Sequence, residues 1–89
     1  MNQAEASFAL YPNPAHGEPV NLIYTSAYNV SNASFTLFDL AGRAVQQQQL
    51  QTSAGMQRIT ISTTELQQGM YIVMVTVDGK SAQQKLVIK

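Results

Sequence analysis

The chain has no cysteine and no tryptophan, a single histidine, and charged side chains at only 11% of its 89 positions. Each shortage closes off a class of function. Without cysteine there is no disulfide staple, no thiolate metal site and no cysteine nucleophile. His16 has no second histidine or cysteine to join it in a metal centre. The acidic residues are scattered, with neither the spacing of a glycosidase carboxylate pair nor the pattern of a calcium loop. The glycines stand singly, so no loop can cradle a phosphate. Ser7, His16 and Asp39 match a catalytic triad by residue type alone, and nothing around Ser7 resembles the sharp turn that activates a serine. The sequence therefore predicts no enzyme and no cofactor.

Long apolar runs are missing too: no segment approaches the ~18 residues of a membrane helix. Five basic residues balance five acidic ones, so neither direct membrane insertion nor nucleic-acid binding through net charge is expected. The balance is uneven along the chain. Residues 1–42 carry Glu5, Glu18 and Asp39 and no cation, whereas Lys80, Lys85 and Lys89 stand near the end without an acid. Solubility has to come from Gln, Asn, Ser and Thr, because a soluble domain usually has about 25% charged residues.

What is present is hydrophobic alternation. Apolar residues make up 45% of the chain, enough to fold a domain that buries ~60–65% of its unfolded surface. Residues 1–7 are polar and linker-like, without the basic-then-apolar layout of an export signal; the domain is expected over residues 8–89, with any export signal elsewhere in the gene product. The period is two nearly throughout, which predicts strands. They are read over Phe8–Tyr11, Val20–Thr25, Phe35–Leu40, Ala44–Gln51, Gln57–Ser62, Met70–Val77 and Ser81–Ile88. Pro12 and Pro14 forbid helix after the first strand and guard that edge against pairing with another chain. Ser62-Thr63-Thr64-Glu65 has the spacing of a capping box and predicts one helical turn, with Leu66 plugging an end of the core. Gly42, Gly69 and Gly79 are placed where turns need positive φ, and Asp78-Gly79 signals a tight hairpin.

About seven strands with turns every 8–12 residues predict an all-β fold, most economically an immunoglobulin-like β-sandwich of antiparallel strands. An open barrel is the rival. Tyr71, Val73 and Val75 are expected to face inward opposite Leu86 and Ile88, with Leu22, Phe35, Leu37, Ile59 and Ile61 filling the rest.

The turn residues form an ordered series: Leu10-Tyr11-Pro12-Asn13-Pro14, Leu40-Ala41-Gly42-Arg43-Ala44-Val45, Leu66 to Val75 with Gly69 and Tyr71, Asp78-Gly79-Lys80, and Lys85-Leu86-Val87-Ile88-Lys89. In this order and spacing the chain resembles the type A C-terminal sorting domain of the type IX secretion system, from about Leu10 to Lys89. The resemblance implies an immunoglobulin-like sandwich that directs an upstream cargo from the periplasm through an outer-membrane translocon. It implies as partners the translocon with its shuttle proteins and a sortase-like cysteine peptidase. The peptidase would cut near Met1 to Phe8 or upstream, leaving the cargo at the cell surface or in the medium. Lys85, Leu86, Val87, Ile88 and Lys89 belong, by the same resemblance, to the region that the machinery reads.

The alternation adds a surface to that region. With Tyr71, Val73 and Val75 inward, Ile72 and Met74 point out beside Lys85, Val87 and Lys89, an apolar strip with two cations. An unpaired final strand offers a second route, docking by strand addition. The alternative function is an accessory immunoglobulin-like module, structural or carbohydrate-binding, of a secreted enzyme or adhesin, with Tyr24 and Tyr28 as candidate sugar platforms. A strand-exchange subunit donating Phe8–Tyr11 is a further reading, which Pro12 and Pro14 weigh against.

Overall fold

The structure, a computed structural model, describes residues 8–89; the linker-like residues 1–7, with Ser7, lie outside them. Seven strands follow in chain order: β1 (Phe8–Tyr11), β2 (Val20–Ser26), β3 (Ala33–Phe38), β4 (Ala44–Gln49), β5 (Gly55–Ile61), β6 (Gly69–Val77) and β7 (Lys80–Ile88). They form a three-stranded sheet in the order β1-β2-β5 and a four-stranded sheet in the order β4-β3-β6-β7. Every pairing between strands is antiparallel. Two packed sheets with these orders make an immunoglobulin-like sandwich, so the barrel alternative falls.

Alternation decides what lies between the sheets. Val20, Leu22 and Tyr24 of β2 face Phe35 and Leu37 of β3, Tyr71, Val73 and Val75 of β6, and Leu86 and Ile88 of β7 in one buried cluster. Burying each large side chain there stabilises the fold by roughly 1.5–3 kcal/mol. Ile59 is only partly buried, and Tyr24, a candidate sugar platform by sequence, is 2% exposed in the core. Tyr24 is central because β2 is the middle strand of its sheet, flanked by Phe8 on one side and Gln57 on the other.

The expected helical turn does not form. Thr63 to Leu66 make one turn closed by the Leu66 N–H on the Thr63 carbonyl at 3.1 Å, with no helix around it. Ser62 does not cap it; its hydroxyl pairs with that of Thr64 at 3.2 Å. The physical reason lies in Thr63, which is 4% exposed and donates to the Glu18 carbonyl at 3.0 Å. That bond anchors the segment to the start of β2, so tertiary contact overrides the local capping preference. Leu66 still packs against the core, and Gly69, at φ 145°, opens β6 instead of ending a helix.

Tyr71 carries the corner that turns the chain from β5 into β6. Its ring is buried and its hydroxyl donates to the Gln67 carbonyl, four residues back, at 2.7 Å. This is the tyrosine corner of immunoglobulin-like sandwiches. At the other end of β6, Asp78 (φ 50°) and Gly79 (φ 86°) are the two central residues of the β6–β7 hairpin, closed by Val77 opposite Lys80. Positive φ at both gives the turn the twist that two-residue hairpins need. The Asp78 carboxylate accepts from the N–H groups of Ser31 and Asn32, both at 2.8 Å, and ties this hairpin to the start of β3.

Two substitutions should separate packing from hydrogen bonding. Phe35→Ala is expected to destabilise by about 3–5 kcal/mol, because it opens a cavity in the shared core. Tyr71→Phe keeps the ring and loses one hydroxyl bond, an effect of about 0.5–1.5 kcal/mol. Denaturant midpoints of the two variants would measure the ranking, and equal losses would show that the corner contributes far more than one bond.

Candidate functional site: the motif end of the sandwich

The strand registers bring the sequence motifs together. Tyr11 pairs with Asn21 near the start of β2, Phe38 pairs with Ile72, and Gly69 pairs with Ile88. The Leu10–Pro14, Leu40–Val45 and Lys85–Lys89 motifs therefore meet at one end with the start of the Leu66–Val75 motif, which runs on along β6. Asp78-Gly79-Lys80 lies at the opposite end of the β6–β7 hairpin, roughly 27 Å away at the usual rise per strand residue.

The first of these motifs does something the sequence did not predict. After β1 pairs with β2, the chain crosses through Pro12-Asn13-Pro14 to the other sheet, where Ala15 makes a parallel bridge to Ile88. The Tyr11–Pro12 and Asn13–Pro14 peptide bonds are both cis. Ala15 is fully buried; its N–H donates to the Val87 carbonyl at 2.9 Å, and its carbonyl accepts from the Lys89 N–H at 2.7 Å. The Asn13 carboxamide donates to the Lys85 carbonyl at 2.8 Å and accepts from the Val87 N–H at 3.1 Å. The prolines do not merely fend off another chain: the segment that holds them is itself the partner of β7. The final strand is thus paired with β6 on one side and covered over Lys85–Lys89 on the other, so the expected unpaired edge is absent there.

The middle motif forms a tight turn between β3 and β4. Asp39 organises it: Oδ1 accepts from the N–H groups of Ala41 and Arg43 at 3.0 and 2.9 Å, and Oδ2 pairs with Arg43 Nε at 3.1 Å. Gly42 closes the turn at φ 88°, where a Cβ would meet no atom within 4 Å, so backbone conformation rather than space calls for glycine. The Arg43 N–H does most to hold the Asp39 carboxyl below its ordinary value; desolvation opposes it, and the Arg43 guanidinium and the Ala41 N–H add smaller lowering effects.

The face turned away from the core is graded along the hairpin. Because Lys85 and Val87 direct their backbone groups away from β6, the pairs Ile72–Lys85 and Met70–Val87 are non-hydrogen-bonded, the arrangement that brings side chains closest. Phe38, half-buried, extends the row beside Ile72. The next row joins Thr36, Met74 and Gln83, and the last joins Ser34, Thr76 and Ser81. The face is apolar at the motif end and hydroxyl-lined at the other. Its charges are Lys85 and, one step past the strand, Lys89, both exposed. Leu86 and Ile88, by contrast, point into the core at 0% and 5% exposure. A partner can therefore touch Lys85, Val87 and Lys89 of the terminal motif, and not the two residues between them. Phe38 and Met70 were legible as outward positions from the same alternation, but the β-bulge between Leu37 and Phe38 obscured the register of the first.

His16 lies exposed in the loop between the crossing and β2, where its N–H donates to the Glu18 carboxylate. A bond from the backbone of Glu18 itself, and then that from His16, lower the Glu18 pKa. Among the described residues no group of three or more His, Cys, Asp or Glu side chains could hold a metal ion. No helix among them is long and apolar enough to cross a membrane.

A family model described as a secretion system C-terminal sorting domain matches residues 9–89. The chain belongs to that family. The sorting domain is of the type IX secretion kind, and it marks a protein that is exported to the cell surface or the extracellular space. Comparison with curated proteins found no match. Among solved structures, a CARDB domain from Pyrococcus furiosus, crystallised in complex with di-metal ions, is similar in fold, with a TM-score of 0.52 and 13% identity. That likeness covers 96% of this chain and 86% of the other.

The Asp39 turn makes a pH prediction. A carboxyl whose folded pKa is depressed stabilises the fold above its ordinary value, here 3.8, and that contribution is lost as pH falls through the lower folded value. Asp39→Asn should therefore lower the thermal midpoint near neutral pH, and the gap from the unaltered chain should close as the solution is acidified below 3.8. A gap that stayed constant would mean that the turn does not depend on the charge.

Proposed function

We propose that this sorting domain is a folded address without chemistry of its own, read by the type IX translocon and its shuttle proteins through the outer face at the motif end. Met70, Ile72, Met74 and Val87 supply the apolar part of that surface, and Lys85 and Lys89 supply its charge. The observation that carries the reading is the convergence of three separated family motifs, the terminal one included, with the start of a fourth at a single end of the sandwich. An apolar strip with Met70 exposed, Ile72, Met74 and Val87 half-buried, and a charged rim suits a protein partner that carries carboxylates beside its own apolar patch. The cargo passes through the periplasm attached ahead of Phe8. A sortase-like cysteine peptidase then cuts near Met1 to Phe8 or upstream, beside the polar sequence of residues 1–7.

No observation favours the accessory-module reading. A sugar platform needs exposed aromatic rings side by side. Tyr24 is buried, and the exposed rings of Tyr11 and Tyr28 lie near opposite ends of β2.

Deleting Lys85–Lys89 is a poor test, because it removes Leu86 and Ile88 from the core along with the surface. Charge reversal is cleaner. A fluorescent reporter carrying an export signal and followed by the 89-residue chain should reach the surface or medium of a host that has a type IX system. The Lys85→Glu, Lys89→Glu double variant should stay periplasmic, with its stability within about 0.5 kcal/mol of the unaltered chain. Equal delivery of both would remove the cations from the address, and failure of both would remove the sorting role itself.

A further inference from the structure

Along the outer edge of β7, from the Lys85 carbonyl to the Lys89 N–H, every outward backbone group has a protein partner. Asn13 takes the Lys85 carbonyl and the Val87 N–H, while Ala15 takes the Val87 carbonyl and the Lys89 N–H. The Asn13 carboxamide donates and accepts on one edge as a peptide group of a neighbouring strand would. We propose that Asn13 is a positioning residue for the address: with Ala15 it clasps the last strand, sets the direction in which Lys85, Val87 and Lys89 are displayed, and closes that edge to strand addition. The inference deepens the sorting reading and rests on it.

The clasp matters most where β6 gives no help. The β6–β7 ladder ends with Gly69 opposite Ile88, so Lys89 has no partner in β6. Its backbone is held by the Ala15 carbonyl. Lys85 and Val87 turn their backbone groups away from β6, so those groups are held by Asn13 and Ala15, while Gln84, Leu86 and Ile88 keep the strand paired with β6. A surface that displays two flexible lysines needs a rigid base, since a strand that frays carries its charges with it. The edge beyond the clasp differs. By the alternation of the ladder, Ser81 and Gln83 also point their backbone groups outward, and they lie past the reach of Asn13. The partner therefore meets side chains at the terminal motif.

Asn13 is exposed, so water can solvate the edge if the carboxamide is removed, and Asn13→Ala should fold. What water cannot do is fix the strand's direction. Amide exchange of the 89-residue chain reads this directly. In Asn13→Ala, protection at Val87, whose N–H loses its acceptor, should fall about tenfold, the size expected for losing a bond of ordinary strength; that at Lys89, still held by Ala15, should fall by less, while Val73 in the core keeps its protection. Delivery of the reporter by this variant should fall several-fold. Asn13→Asp gives a second signature. Its carboxylate can still accept from Val87 but faces the Lys85 carbonyl with no proton, so at neutral pH protection at Val87 should lie between that of Asn13→Ala and that of the unaltered chain. On acidification the protonated carboxyl can donate again, and protection should approach that of the unaltered chain at the same pH.

Unchanged protection at Val87 and Lys89 in both variants would overturn the clasp. Lost protection with undiminished delivery would overturn its role in the address and leave the sorting reading intact. Increased delivery would also overturn it, by showing that the partner reads an opened strand edge. If the unaltered fusion is not delivered, the sorting reading fails and the inference falls with it, while the exchange data still report whether the clasp exists.

Discussion

Two open sheets present four edge strands, here β1, β5, β4 and β7, and the backbone groups along those edges must find partners or remain in water. Charged residues are scarce, so the usual protection of edges by lysine is largely missing. Carboxamide side chains serve instead. Asn13 pairs with β7 as described, and Gln57 of β5 makes a like pair of bonds to one residue of the β4–β5 loop, accepting from the Gln51 N–H at 3.1 Å and donating to the Gln51 carbonyl at 3.0 Å. Gln46 of β4 donates to the Ser62 carbonyl at 2.9 Å, Asn29 accepts from the Ala54 N–H at 2.8 Å, and Gln84 reaches the Phe8 carbonyl. A carboxamide has the donor and acceptor of a peptide group on a tether, so one residue can stand in for an eighth strand. The abundance of Gln and Asn, which composition alone explains by solubility, is partly a set of links between the sheets.

That constraint also divides what could be read in advance from what could not. Alternation in Met70–Val77 and Ser81–Ile88 gave the inward and outward faces of the terminal hairpin directly, because both strands are long and their turn, Asp78-Gly79, has unambiguous chemistry. The Gly42 turn was legible for the same reason, but Asp39, read as part of the strand Phe35–Leu40, lies past the end of β3 and organises that turn. The crossing at Pro12–Ala15 was not. Its pairing joins residues more than seventy positions apart, and Asn13 contacts Val87 across 74; no local period encodes such a bond. Proline there read as a barrier, since it lacks the donor a ladder needs, yet the residues between and after the prolines do the pairing.

The Thr63 turn shows a different limit. Ser62 to Glu65 satisfies the local rule for a helix start, and the competing term is a hydroxyl bond to Glu18, a residue in a distant loop. Likewise Leu86 and Ile88 belong to the terminal motif by sequence but to the core by position. The motif is therefore a composite: alternate residues answer to packing, and the others are free to answer to a partner. That separation lets surface chemistry vary at Lys85, Val87 and Lys89 without disturbing the sandwich.

The crossing has a consequence for the order of folding. Asn13 and Ala15 bond to residues at the far end of the sequence, and β7 contributes two side chains to a core whose first member is Phe8. Such non-local closure is slow and cooperative, because loop entropy is lost before contacts form. The surface of Lys85, Val87 and Lys89 therefore takes its final direction only once the first and last strands have both joined the sandwich.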